Sequence, residues 1–389
     1  MRRFGLHLGV VAAVSAAVVW WAIRGSGVTP APRAVTADAL LAAPAGTPAP
    51  VKIEARPASF PPPDGPYHGM SWVIHNSKWA VEEARLLLPQ IAELGADTVL
   101  ISNAGCQEHA GSEKFDIDPE VTPTRQQWRE IFTIARQNRL RIVLMPIVLL
   151  TDPRGDEWRG VINPPSWDDW WEQYSAFILA FAGLAAENHV EVFSVGSELV
   201  STETDTRRWR ALIAQVRKVY PGKLTYSANW DHYKVIEFWD LLDLIGMTSY
   251  YKLSSDPGPT LETLMAEWAP IKRGILMWQK SGGAGKPLLF TEVGWASQEG
   301  TSIEPWNYYR KPEATAAGLE EQRRCYRAFM ETWKDTPQVG GVIWWEWANI
   351  PGGPTDFGYS PKGKPAEKEL REWFKAVREQ RSAATRPAN

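Results

Sequence analysis

Eight short apolar runs, each followed by a stretch of different character, repeat through residues 68–345 of this 389-residue chain. They fall at 68–72, 98–103, 141–147, 191–195, 224–228, 244–248, 288–291 and 341–345. Between the first two, Ala80, Ala84, Leu87, Leu88 and Ile91 recur at helical spacing. Further helical stretches span 125–138, 167–188, 207–219, 261–279 and 319–333, and only the fifth connection is too short for a full-length helix. Strands alternating with helices pair in parallel, which leaves a doubly wound sheet or a barrel. A doubly wound sheet announces a ligand loop after its first strand, whereas here polar and aromatic residues gather after many strands. The α/β class therefore narrows to a (β/α)8 TIM barrel, and about 310 residues is ample length for one.

The chain before the first run has another character. Arg2 and Arg3 precede an apolar run over 8–23 that closes on Trp20, Trp21 and Arg24. A basic start and a short apolar stretch describe an export signal or a signal anchor. The run sits at the short edge of the roughly 17–25 residues that span a bilayer and exceeds a cleaved signal core of about 7–15. No small-residue cleavage site follows directly. Residues 1–24 thus read as a signal anchor or signal peptide, with the rest of the chain exported: membrane-anchored at the cell envelope, secreted or periplasmic. Residues 25–64, rich in Ala and Pro and ending in Pro61-Pro62-Pro63, read as a linker. The barrel domain is expected over 65–380, with 381–389 a disordered tail.

Composition removes several function classes. A net charge of -3 supplies no basic field for nucleic acid. No Gly-rich phosphate loop follows a strand, which argues against a nucleotide cofactor. Cys106 and Cys325 lie far apart with no metal-ligand spacing and read as two thiols rather than a disulfide. His68 and His75 lack a third ligand at useful spacing, so no metal is expected. The outlier is tryptophan, with 21 Trp against 11 Tyr and 12 Phe. Flat aromatic faces suit the apolar faces of sugar rings, although indole also fills cores.

In a barrel, chemistry sits at the C-terminal ends of the strands. The fourth run continues Val192-Phe193-Ser194-Val195-Gly196-Ser197-Glu198, and the seventh Leu288-Leu289-Phe290-Thr291-Glu292-Val293-Gly294-Trp295. Each apolar run delivers one glutamate to the same rim. Paired carboxylates are what acetal hydrolysis requires: one protonates the leaving oxygen, and the other attacks the anomeric carbon or activates water. Other acidic residues have plainer readings. Asp168 and Asp169 start a helix, where the dipole favours them. Glu320 and Glu321 read as a solvated helix face, and Glu346 as an exposed strand-end charge.

These residues resemble clan A of the retaining glycoside hydrolases, and more narrowly the chain is similar to glycoside hydrolase family 113, whose characterised activity is mainly endo-β-mannanase. The matching pieces are Gly69-Met70-Ser71-Trp72, Trp158-Arg159-Gly160, Val195-Gly196-Ser197-Glu198-Leu199 and Leu224-Thr225-Tyr226-Ser227-Ala228-Asn229-Trp230. They continue with Phe238-Trp239-Asp240, Ser249-Tyr250-Tyr251, Phe290-Thr291-Glu292-Val293-Gly294-Trp295 and Gly363-Lys364-Pro365. The resemblance implies Glu198 as acid/base and Glu292 as nucleophile, with no cofactor. It implies that Tyr250 donates to the nucleophile and that Trp345 floors the cleavage subsite. Trp72, Asn103, Asn229, Trp230 and Trp295 stand at strand ends where they could meet sugar hydroxyls or ring faces. Trp344 and Trp345 point to opposite faces, as do Tyr250 and Tyr251, and the resemblance selects Trp345 and Tyr250. Two positions depart from the pattern. Ser197 stands where clan A commonly has an Asn that holds the substrate 2-hydroxyl, and Met145-Pro146-Ile147-Val148 lacks a polar residue after the proline.

The expected function is hydrolysis of a β-linked polysaccharide or oligosaccharide, β-1,4-mannan or glucomannan first, by double displacement. Two alternatives remain. One is a hydrolase of another β-glycan, kept open by Ser197. The other is a catalytically silent barrel that binds glycan or protein at the cell envelope.

Overall fold

The computed structural model describes residues 65–308 and 310–384. The expected anchor and linker fall outside these residues. Within them, eight parallel strands close into a barrel wrapped by helices.

In chain order the elements are β1 (Tyr67–Ile74), α1 (Ala80–Leu94), β2 (Thr98–Gln107), β3 (Phe115–Asp116) and α2 (Arg125–Gln137). They continue with β4 (Arg141–Leu150), α3 (Trp167–Glu187), β5 (Val192–Ser197), α4 (Thr206–Val219), β6 (Lys223–Ala228) and β7 (Ile245–Thr248). The series ends with α5 (Leu261–Ser281), β8 (Leu288–Val293), α6 (Ala316–Trp333), β9 (Val339–Trp344) and α7 (Pro365–Ala384). Each barrel strand pairs with the next in sequence, and β1 pairs with both β2 and β9, which closes the ring. The two-residue β3 stands outside it, antiparallel to the end of β2, and was not legible in the sequence. As expected, the β6–β7 connection holds only a single 3-10 turn, Trp239–Leu241. The final helix runs to Ala384, past the expected start of the tail, and 385–389 lie outside the described residues.

The helices begin where short polar side chains accept the otherwise orphaned backbone N–H groups. Thr124 caps α2 in a reciprocal box with Gln127, Ser166 caps α3, Asp205 caps α4, Thr260 caps α5 and Thr315 caps α6. Each such cap contributes about 1 kcal/mol.

Period-two alternation sorts the strand residues into two layers. Tyr67, Leu100, Val143, Met145, Val192, Leu244, Leu289 and Ile343 fill the barrel interior. The opposite set, among them Met70, Ile101, Leu144, Phe193, Tyr226 and Phe290, packs under the helices. Most of the tryptophan surplus belongs to that outer layer. Trp72, Trp128, Trp170, Trp209, Trp239, Trp268, Trp295 and Trp344 are all fully buried. At roughly 25 cal/mol per Å2 and 150–250 Å2 per ring, each contributes on the order of 4–6 kcal/mol as an upper estimate. Indole here is chiefly core filler, so the compositional hint at sugar binding was weaker than the strand-end glutamates. Cys106 and Cys325 are not joined by a disulfide. Among the described residues no helix is long and apolar enough to cross a membrane, and no cluster of three His, Cys, Asp or Glu side chains could hold a metal ion.

Candidate active site

Glu198 directly follows β5 and Glu292 lies in β8, so both sit at the C-terminal end of the barrel. Each strand is irregular at the point where it delivers its carboxylate. The β5–β6 register shifts between Ser194 and Ser197, and the β8–β9 register between Phe290 and Val293. Such bulges re-aim a side chain that regular pleating would send elsewhere. On β5 the irregularity has a steric partner in Gly196. A Cβ there would meet Tyr174 Oη at 2.7 Å and the rings of Trp209 and Tyr226 at 2.9 Å. Glycine lets the strand press into the outer aromatic layer. Glu198 then takes a left-handed conformation, with φ 53°, and its N–H donates to Ser227 O at 2.8 Å. A non-glycine residue in that region carries strain of order 1–3 kcal/mol, characteristic of functional positions.

Both glutamates are buried, and each carboxylate is held by a different donor. Tyr250 Oη donates to Glu292 Oε2 at 2.9 Å. Arg159, on a 3-10 turn after β4, donates from an Nη2 to Glu198 Oε2 at 2.8 Å. Burial first, then the charge of Glu198, push the Glu292 carboxyl up; Arg159 and the Tyr250 hydrogen bond act in the opposite sense. Burial, then Glu292, raise the Tyr250 phenol well above its ordinary value, so it stays a donor. The site therefore resists carrying two uncompensated negative charges, which is the condition for a proton to be retained on the pair.

A third carboxylate lies nearby. Glu346 follows β9, and it adds to the upward push on Glu292. Its own carboxyl is pushed up to about 7 by burial and then by Asp356. This corrects the expectation of an exposed strand-end charge: the residue is half-buried. A fourth, Glu203, is fully buried beside Glu198. It accepts from Tyr226 Oη at 2.8 Å and lies 3.6 Å from His232 Nδ1, while Tyr226 Oη accepts from Leu199 N at 2.9 Å. Burial raises its carboxyl, His232 and Tyr226 oppose, and Glu198 adds to the rise.

The remaining expected site residues divide. Tyr250 and Trp345 pack together with Val73, Ala296 and Tyr359 as one aromatic wall beside Glu292. Trp344 faces outward instead, stacked on Tyr326 of α6 at 4.7 Å. Tyr251 donates to Trp230 O at 2.9 Å. Trp230 is half-buried and stacks on Trp306 at 5.7 Å, with the planes 17° apart. Asn229 is buried on the parity of Thr225 and Ser227, opposite to outward Tyr226 and Ala228. Ser197 is buried, and its hydroxyl has no partner among the described residues.

Three expectations are corrected. Trp72 belongs to the outer layer with Met70 and Ile74 and points to Glu83 of α1. Trp295 packs against Tyr326 and Phe329 of α6 in the same layer. Both have the strand parity of core filler. Asn103 is fully buried, with its amide N–H2 donating to Ile74 O at 3.2 Å and Val121 O at 3.0 Å. It ties the β1 end to the loop before α2, on the outward strand parity of Val99 and Ile101 rather than the inward parity of Leu100 and Ala104. Glu321 is also corrected: far from a solvated face, it is fully buried. Its carboxylate accepts from Gly258 N, Gly300 N, Ser302 N and Ser302 Oγ at 2.6–3.0 Å. It thereby ties two rim loops to α6. Glu320, by contrast, makes a forked pair with Arg323.

Arg159, Glu203, Trp306 and Tyr359 were not picked out from the sequence as site residues. Arg159 did stand inside one of the matching tripeptides, and a basic residue in a strand-end motif was the available signal.

Comparison with known proteins identifies the family of this barrel. The model of glycoside hydrolase family 113 matches residues 69–352. A solved β-mannanase of that family from Alicyclobacillus acidocaldarius, in complex with ManMIm, is 30% identical. It aligns over 81% of this chain and 98% of its own, with a TM-score of 0.70. A second solved β-1,4-mannanase of the family is 25% identical over 80% of this chain and 99% of its own, with a TM-score of 0.67. A family 5 enzyme from Streptomyces cattleya, solved with Manβ1-4GlcNAc, shares the fold at 14% identity and a TM-score of 0.53, over 83% and 82% of the two chains. The search of curated proteins returned no match. With the family model covering most of the barrel, the chain belongs to glycoside hydrolase family 113 and is a glycoside hydrolase.

Proposed function

We propose that this hydrolase cleaves β-1,4-mannan or glucomannan with retention, using Glu292 as nucleophile and Glu198 as acid/base. The observation that carries the reading is the pair of buried glutamates at the C-terminal ends of β5 and β8, with the Tyr250 phenol donating to Glu292. The printed activity of the solved family members, β-mannanase, supports the choice of substrate.

In the first step Glu292 attacks the anomeric carbon, and the C–O bond to the leaving sugar breaks as Glu198 gives that oxygen its proton. In the second, Glu198 takes a proton from water while the water oxygen bonds the anomeric carbon and the bond to Glu292 breaks. The phenol of Tyr250 stabilises Glu292 as its charge returns. Trp345, in the wall beside Glu292, would carry the sugar ring face there, and the Trp230–Trp306 stack would extend the cleft. Ser197 leaves another β-linked hexan as the second reading, because its side chain is shorter than the Asn it replaces and reaches less far toward a 2-hydroxyl. We further infer that the chain works outside the cytoplasm, held or exported by the basic and apolar segment over 1–24.

The test is hydrolysis of β-1,4-mannan, glucomannan, cellulose and xylan by residues 60–389 alongside Glu198→Ala and Glu292→Ala. Mannan cleavage with retained anomeric configuration, lost in both variants, is expected. Cleavage of a different polymer moves the assignment to that glycan, and a folded wild type that cleaves none points to a silent binding barrel.

A further inference from the structure

Arg159 forms and breaks no bond in the double displacement, yet it is built into the site. It lies on the 3-10 turn Arg159–Val161, and both its flanking residues are specialised. A Cβ at Gly160 would come within 2.3 Å of the Trp158 ring, so only glycine lets that indole fold over the turn. The guanidinium is 9% exposed and pairs with a carboxylate 3% exposed. Its Nε–H is buried with no acceptor among the described residues. A charge pair this far from water is held by geometry rather than by chance encounter.

We propose that Arg159 is a positioning residue for the acid/base: it fixes Glu198 through Oε2, which leaves Oε1 as the oxygen that exchanges the proton with the leaving sugar and with water. The inference rests on the proposed role of Glu198. A carboxylate held at one oxygen by a planar donor has one rotamer and one free lone-pair edge, which general acid catalysis requires. Among the described residues no other hydrogen bond or ion pair holds this side chain. Its other neighbours are acidic or neutral: Glu203 on its own loop, Tyr250 after β7, Glu292 on β8 and, beyond it, Glu346 after β9. His232 reaches Glu198 only through Glu203.

The positive charge has a second effect. Arg159 lowers the Glu292 carboxyl against burial and Glu198. Removing the charge therefore leaves Glu292 harder to ionise, and the acidic limb of the activity profile should move to higher pH.

The experiment uses Arg159→Met and Arg159→Lys, with Glu198→Ala in parallel, on two substrates. One is a manno-oligosaccharide with its natural linkage; the other is the matching 2,4-dinitrophenyl glycoside, whose leaving group needs no proton. Arg159→Met is expected to lose on the order of 100-fold in kcat/KM on the first and far less on the second. Its acidic limb should rise by about one pH unit. Arg159→Lys should restore the limb, because it keeps the charge, but only part of the rate, because it lacks the planar fork. Equal losses on both substrates with unmoved limbs mean that Arg159 merely supports the fold, and the inference falls. If Glu198→Ala itself fails to discriminate between the substrates, the acid/base assignment is wrong and the inference falls with it. If Glu198→Ala discriminates and Arg159→Met does not, the assignment stands and only the inference fails.

Discussion

Tyr250 and Glu292 form a buried hydrogen bond across two strand ends, phenol to carboxylate, at 2.9 Å. Each group is pushed by its surroundings toward its protonated form, and the phenol, well above its ordinary value, stays a donor to Glu292. A hydrogen bond to a charged group contributes about 1.5–3 kcal/mol. Tyr250→Phe should therefore lower kcat by about 10–100-fold. The bond opposes the upward push on Glu292, so its loss should also carry the acidic limb of kcat/KM to higher pH. A pH–rate series on a single oligosaccharide checks both, and an unmoved limb would mean that the bond does not govern nucleophile ionisation.

Glu346 offers a stability prediction with a defined window. Its folded carboxyl is pushed up to about 7 from an ordinary value of 4.5. The sign follows from the burial that causes it. Below 4.5 the carboxyl is protonated in both states and costs nothing. As pH rises toward 7 the unfolded chain ionises while the folded one resists, so the native state loses stability and stays lower above 7. Glu346→Gln should match wild type in Tm near pH 4 and exceed it progressively up to pH 7, by about 1–3 kcal/mol at the plateau. Thermal melts at several pH values decide it; a difference independent of pH would point to packing.

Glu321 is the stability counterpart on the opposite side of the ledger of polar groups. Its carboxylate satisfies three backbone N–H groups in the loops after β7 and β8. Glu321→Ala strands those donors in a buried place, at about 1–3 kcal/mol each when no water replaces the partner. A loss of at least about 3 kcal/mol in denaturant unfolding is expected, with a fall in kcat because the loops carry the Trp306 side of the cleft. A variant within about 1 kcal/mol of wild type would mean that water reaches the loops freely.

The sequence was legible where the signal is local and periodic. Alternating apolar runs and stretches of helical spacing pointed to the eight-fold barrel, and strand-end placement singled out Glu198 and Glu292. Illegibility began where a residue's meaning depends on which face it takes. Trp72 and Trp295 read like sugar platforms because they stand at strand ends, but parity puts them with Met70 and Val293 under the helices. Glu321 reads as one more charge on a helix, since its partners, Gly258, Gly300 and Ser302, lie 19 to 63 residues away in sequence. Arg159 sits 39 residues from the carboxylate it holds, and no local pattern encodes that meeting. Barrel closure brings such residues together, so spacing along the chain is silent about them.

Gly196 tests whether the outer aromatic layer sets the aim of Glu198. The nearest obstacle to a Cβ is Tyr174 Oη at 2.7 Å, with Trp209 and Tyr226 close behind at 2.9 Å. Rings packed on three sides have little room to retreat, so Gly196→Ala should push the strand inward and cost about 1–3 kcal/mol in stability. The larger effect should be catalytic. Glu198 is two residues on, in a left-handed conformation that the bulge sustains, and an offset of about 1 Å in a reacting group can cost on the order of 100-fold in rate. Tyr174→Phe removes the nearest obstructing atom while also removing its bond to Val195 O, so alone it should be mildly destabilising. In combination the two changes should be less damaging than the sum of the singles, because the second makes room for the first. Additive losses in kcat and in stability would mean that the rings of Trp209 and Tyr226, rather than the hydroxyl, fix the strand, and Trp209→Phe would then be the variant that restores activity to Gly196→Ala.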